Sequence, residues 1–374
     1  MILFQQAFKY AIISYRPKVT PIPNITGNDY FYIYPFKEII YNIEDMPYQR
    51  ILKTFNLKPF ILCLIVGLFY TNSVNSQSPP VVYEHNAVLQ GDKQTFRIYM
   101  VNAFPFIPVT VNGTKGKFMF DTGNGGDIEL NSNFIKLKAG KPLGNGNVAS
   151  GQKFEISVQD TVSEVKFDNG LVYQNLLQIK SENLNFLQDH ITPDCAGYMG
   201  YAFFKGYLFK LDYLRNQITF YKNTAERQAS RDFLKGEKIL AVLPFEIRRA
   251  PNDPIVKLRA GDVDIIGIFD TGQYGGIQLN PEAEKTLLNS KLFSSAGIDG
   301  SGDTISTLHN VSTAGHFKFD LPALNYYPHS QPLPFKKSLL ITEENILTLG
   351  YRFLSQFKTV WDYENKKIYI LQNQ

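Results

Sequence analysis

Four residues, Phe120-Asp121-Thr122-Gly123, occur again as Phe269-Asp270-Thr271-Gly272, and each copy sits inside the same longer pattern. After two variable residues comes a glycine, Gly126 or Gly275, and then Ile128-Glu129-Leu130-Asn131 or Ile277-Gln278-Leu279-Asn280. Further on, Gly200-Tyr201-Ala202-Phe203-Phe204 is answered by Gly350-Tyr351-Arg352-Phe353-Leu354, and Asp212-Tyr213 by Asp362-Tyr363. Asp121 and Asp270 lie 149 positions apart; Gly200 and Gly350, like Asp212 and Asp362, lie 150 apart. A register kept over so long a stretch is an internal duplication. The chain must fold as two similar halves.

At 374 residues there is room for a core in each half. The 44% hydrophobic and 14% aromatic content is that of a globular protein. The net charge of +4 comes from interspersed basic and acidic residues, so neither a nucleic-acid stripe nor a polybasic membrane patch is expected. The five histidines are scattered without ligand spacing, and no metal or cofactor is expected. Cys195 is left alone once Cys63 is removed with the leader, which excludes an intrachain disulfide. A buried, inert thiol is the simple expectation for Cys195, since a nucleophile needs a histidine near it in space and His190 is near only in sequence.

Residues 1–76 read as a leader, with a signal peptide at about 46–76. Arg50, Lys53 and Lys58 precede the apolar run Phe60 to Tyr70, and Val74-Asn75-Ser76 offers a small-x-small cleavage site before Gln77. The run is shorter than the roughly 20 residues a membrane helix needs. This predicts a secreted, periplasmic or cell-envelope protein, with an uncleaved anchor as the other reading. Met46 fits the start of such a peptide better than Met1. The mature chain then divides into lobes at 77–225 and 226–374.

Both lobes read as β-structure. Thr95 to Val101, Ile107 to Val111 and Gly116 to Phe120 are rich in β-branched and aromatic residues, with Asn112-Gly113 as a hairpin turn. Ile255 to Arg259 and Val263 to Phe269 are their counterparts. Each half closes on a strand pair, Tyr207 to Tyr221 and Phe357 to Leu371. A helix is expected after Asn280, with Pro281 at its first position. The polar run from Lys222 to Lys238 reads as a linker between lobes.

The doubled Asp-Thr-Gly, each copy preceded by an apolar strand and followed by a closing glycine (Tyr198-Met199-Gly200, Thr348-Leu349-Gly350), resembles the retropepsin-like aspartyl protease family in a tandem form. The resemblance spans about residues 95–372. It implies an all-β, bilobal pepsin/retropepsin-like acid protease fold, two homologous barrel-like lobes with the active site between them. It further implies an aspartic endopeptidase in which Asp121 and Asp270 are catalytic, Thr122 and Thr271 tie the two loops together, and Gly123 and Gly272 let backbone approach the carboxylates. Gly200 and Gly350 would brace the loops from behind. One chain carrying both aspartates is expected to act as a monomer on a polypeptide substrate.

The chemistry follows from the residue types. Two carboxyls a few ångströms apart do not both ionise readily, so the pair shares a proton; one member is then base and the other acid. Asn124 and Gln273 depart from the Ala, Ser or Thr that usually follows the motif. They favour the alternative of a weak or inactive protease-like module binding peptide or glycan in the cell envelope. Gly144 to Gly151 and Gly297 to Gly302 are candidate flaps or simple surface turns.

Overall fold

The computed structural model describes residues 87–373, apart from 149, 150, 160 and 301; the expected leader lies outside them. Strands dominate, and the longest helix among the described residues is Pro281–Asn289. The chain is mostly β, as the alternating apolar and polar segments require.

Each half repeats one construction. The hairpin of Phe104–Val111 and Thr114–Phe120 turns at Asn112 (φ 48°) and Gly113 (φ 81°), the pair of positive φ angles that a tight two-residue turn demands. Thr114–Phe120 delivers Asp121, and the chain then re-enters the sheet at Ile128–Asn131. These two strands are not neighbours. Cys195–Met199 lies between them, parallel to the first and antiparallel to the second. In the second half Ile346–Leu349 lies in the same way between Val263–Phe269 and Gly276–Gln278. Both inserted strands are buried along their whole length. Each Asp-Thr-Gly loop therefore has to arch over the end of an inserted strand.

The halves differ in closure. In the second, Ile255–Ala260, Val263–Phe269, Ile346–Leu349, Gly276–Gln278, Lys318–Tyr326 and Thr304–Thr313 follow one another, and the last pairs back with the first through Leu258, Arg259 and Ala260. That ring is a six-stranded barrel. In the first half the work of Thr304–Thr313 is divided between Lys153–Gln159, which pairs Ile179–Glu182, and Val162–Phe167, which pairs Phe104–Val111. The ring stays open there.

The closing strand pairs, Tyr207–Asp212 with Gln217–Lys222 and Lys358–Asp362 with Lys367–Leu371, turn where the sequence places turns. They also lie side by side, with Phe209 opposite Trp361 and Leu211 opposite Thr359. Lys93–Arg97 and Ile239–Pro244 complete a six-stranded sheet to which both halves contribute. The Phe209 and Trp361 rings stack at 5.1 Å, over a fully buried layer that includes Phe120, Phe204, Phe220 and Phe269. Each such side chain contributes on the order of 2 kcal/mol of burial. Lys358 is buried in this sheet, and its charge is met by Glu237 at 2.9 Å and Asp212 at 3.5 Å, as a buried cation requires.

The run from Lys222 to Lys238 is folded rather than a loose linker. Thr224 Oγ1 caps the helix Ala225–Ser230 by accepting from the Arg227 N–H. Phe233 and Leu234 then pack among Leu208, Tyr221 and Val360. Two apolar anchors in a charged stretch are invisible to composition. The helix Pro281–Asn289 starts at the expected cap, with Asn280 Oδ1 accepting from the Ala283 N–H at 2.8 Å.

Candidate active site

Backbone hydrogen bonds hold each Asp-Thr-Gly loop over its inserted strand. The Asp121 N–H donates to the Met199 carbonyl, and the Gly200, Tyr201 and Ala202 N–H groups donate back to the carbonyls of Asp127, Asn124 and Gly126. The second loop repeats this with Tyr351 and Arg352 donating to Gln273 and Tyr274. The approach is so close that a Cβ on Gly200 would stand 2.5 Å from the Gly126 carbonyl oxygen, and one on Gly350 would overlap the Gln273 carbonyl. Only glycine fits behind either loop.

The structure brings the two loops together. Thr122 and Thr271, both fully buried, exchange hydrogen bonds: each backbone N–H donates to the other's Oγ1, at 2.9 and 3.0 Å. The Thr271 hydroxyl donates onward to the Phe120 carbonyl at 2.8 Å. The Asp121 and Asp270 carboxyls hydrogen-bond to each other. The Gly123 N–H lies between them, 2.9 Å from Asp121 Oδ1 and 3.1 Å from Asp270 Oδ1, and the Gly272 N–H donates to Asp270 Oδ1 at 2.7 Å. A Cβ on Gly123 would stand 2.5 Å from Asp270 Oδ2. Burial pushes both carboxyls above the usual carboxylate range; for Asp121 the Asp270 charge adds to it, while the backbone N–H groups pull the other way. The pair is arranged to hold one proton between them.

The dyad opens on a cleft of about 920 Å³ that both halves line. Val148, Gln152 and Phe154, on the hairpin of Lys141–Asn147 and Lys153–Gln159, form part of its wall. That places one of the two glycine-rich candidates at the cleft. The other, at the tip of the hairpin Phe293–Ile298 and Thr304–Thr313, supplies none of the described lining residues.

Asn124 turns away from the dyad. Its Nδ2 donates to Glu129 Oε2 at 2.5 Å and its Oδ1 accepts from the Gly126 N–H at 2.6 Å. Cys195 is fully buried, and burial raises its thiol to about 12, a resting thiol.

Four further groups escaped the sequence reading. Asn252 Nδ2 donates to the carbonyls of Thr122 (3.0 Å) and Gly123 (2.9 Å), so a residue of the second half fastens the loop of the first. Asp253, buried beside Asp270, is held well above the normal range by desolvation and by that charge. Their counterparts by register are Ala103 and Phe104, and a search for repeated residues passes over them. Glu129 and Glu182 also line the cleft. The one available signal was a charge at Glu129 between the apolar Ile128 and Leu130.

No family model matches the chain, and no curated protein matches it. Among solved structures it is similar to the crystal structure of basic 7S globulin from soybean, at 9% identity over 76% of this chain and 95% of that chain, with a TM-score of 0.46. The expected membership of the retropepsin-like aspartyl protease family is therefore corrected: no comparison places the chain there. A three-residue motif and a glycine behind it are dictated by local backbone geometry, so chains with little else in common can share them.

Proposed function

We propose that the chain is an aspartic endopeptidase, with the two halves as the lobes of a pepsin-like, bilobal acid-protease fold. The observation that carries this reading is the carboxyl pair, one from each half, sharing the Gly123 N–H at the floor of a cleft. In the mechanism the ionised carboxyl takes a proton from a water molecule as the water oxygen attacks the scissile carbonyl carbon. The protonated partner hydrogen-bonds to the carbonyl oxygen and stabilises the tetrahedral adduct. Proton transfer to the amide nitrogen then releases the amine product. The chemistry calls for no cofactor and no covalent intermediate. One chain supplies both aspartates, which suits a monomer, and the leader expected from the sequence suits a secreted, periplasmic or envelope site of action.

A second reading is a module that binds peptide or glycan and cleaves poorly. Asn124 favours it, since its side chain is engaged with Glu129 and offers the dyad no hydroxyl-like support. Incubating residues 77–374 with a mixed peptide library across pH 3 to 8, with and without pepstatin, separates the two. Cleavage lost in Asp121→Asn and in Asp270→Asn upholds the first; a folded chain that cleaves nothing leaves the second.

A further inference from the structure

One face of the first-half sheet runs from the dyad into the cleft wall. Across that face Met119 is paired with Tyr198, Tyr198 with Glu129, and Glu129 with Lys180. Asp121 follows two residues after Met119, on the same side of its strand. Glu182 follows two residues after Lys180 and so shares this face. The four lining residues Met119, Tyr198, Glu129 and Glu182 form a continuous strip of wall beginning at Asp121.

The charges on this strip do not balance. Glu129 is engaged by Asn124 at 2.5 Å and by Lys180 at 3.8 Å. Glu182 is 4% exposed, yet its carboxyl makes no hydrogen bond or ion pair with the described residues. A buried carboxylate without a partner is costly, and proteins avoid it unless something else meets the charge. Burial and the Glu129 charge outweigh the nearby Lys180, which is already paired with Glu129, and push Glu182 up to about 8. The described residues offer no group of three ligands that could hold a metal ion. Phe186, Leu187 and Ile191 line the same cleft and suit the aliphatic stem of a long side chain.

We propose that Glu182, with Glu129 beside it, forms a subsite for a basic side chain, lysine or arginine, of the peptide substrate. Glu182 lies three strand spacings, or about 14 Å, from the strand that carries Asp121, and Glu129 lies two spacings, or about 10 Å, from it. At an extended rise of about 3.3 Å per residue, the subsite receives a side chain about three to four residues from the scissile bond. The inference rests on the peptidase reading for what happens to the peptide, but recognition is measurable without cleavage.

The probe is a set of fluorescein-labelled octapeptides in which each position in turn carries lysine or norleucine, the latter keeping the stem and lacking the ammonium. Binding is read by anisotropy on the full chain carrying Asp121→Asn and Asp270→Asn, and cleavage on the chain with both aspartates. The expected result is one position at which lysine binds at least about tenfold tighter than norleucine, the ratio falling to about one in Glu182→Gln. Calorimetry in buffers of different ionisation enthalpy supplies a readout free of that substitution: at pH 7 the lysine peptide should release close to one proton and the norleucine peptide none. Glu129→Gln, which should lower the ratio, covers the case in which Glu182→Gln does not fold. Lysine preference without cleavage would keep the subsite and remove the peptidase reading. Cleavage without lysine preference would do the reverse. Absence of lysine-dependent binding at every position, or a ratio untouched by Glu182→Gln, overturns the proposal.

Discussion

Thr122 and Thr271 hold each other across the centre of the molecule, each backbone N–H donating to the other's hydroxyl at 2.9 and 3.0 Å. The exchange is not quite symmetric, because among the described residues only the Thr271 hydroxyl has a further acceptor, the Phe120 carbonyl. Replacing Thr122 by valine strands one buried N–H and should cost about 1 to 3 kcal/mol. Thr271→Val breaks two bonds and should cost more, with Thr271→Ser recovering most of the loss. Thermal unfolding of the three variants gives the order directly; equal losses would mean that the crossed pair does not hold the loops.

Asp121→Asn and Asp270→Asn should each lower kcat by a factor on the order of 10³ or more, since either change removes one of the two proton-transfer partners. The pH profile of kcat/KM should be a bell. Both carboxyls are raised, so the singly protonated pair persists to higher pH than for ordinary carboxylates, and activity falls as pH rises through the upper value of the pair. Stopped assays across pH 3 to 9 would show the alkaline limb; a limb at the position of an exposed carboxyl would contradict this geometry.

Gly350→Ala should disable the second loop. The new methyl would overlap the Gln273 carbonyl, so the loop carrying Asp270 has to move, at a cost of about 1 to 3 kcal/mol and most of the activity. Gly300→Ala is the control, because nothing lies within 4 Å of a Cβ there. The comparison needs only a melting curve and one peptide assay for each protein.

Glu182→Gln should stabilise the folded chain in alkali and not in acid. The folded-state value of Glu182 is raised from 4.5 to about 8, so its favourable contribution is complete below pH 4.5 and is lost as pH climbs towards 8. The melting-temperature gap between variant and parent should be near zero at pH 4, widen through neutrality and level off above pH 8. At that plateau it should correspond to a few kcal/mol. A gap independent of pH would show that folding leaves the Glu182 carboxyl at its unfolded value.

Much of this was legible because the duplication repeats what the backbone itself demands. Asp121 and Asp270, the threonines after them and the bracing Gly200 and Gly350 recur in register, and the structure places them around one point. What the two halves do differently left no repeated trace. Asn252 fastens the first loop from the second half, with Ala103 as its register counterpart. Glu129 stands where the other half has Gln278, which is spent on the carbonyls of Pro328 and Gln331. The closing strand pairs were visible as pairs, but that they zip to each other through Phe209 and Trp361 depends on the assembled molecule. The anchors Phe233 and Leu234 were masked by the charged residues around them.

The unequal closure of the two halves has a mechanical side. In the second half a load on any strand is shared round the ring, because every strand of it has a bonded neighbour on both sides. The first half stays open, and the hairpin of Lys141–Asn147 and Lys153–Gln159 is one of its ends, with Val148, Gln152 and Phe154 in the cleft wall. The strand that delivers Asp270 is thus tied into a closed ring, whereas the half that delivers Asp121 keeps a terminal hairpin in the wall of the cleft.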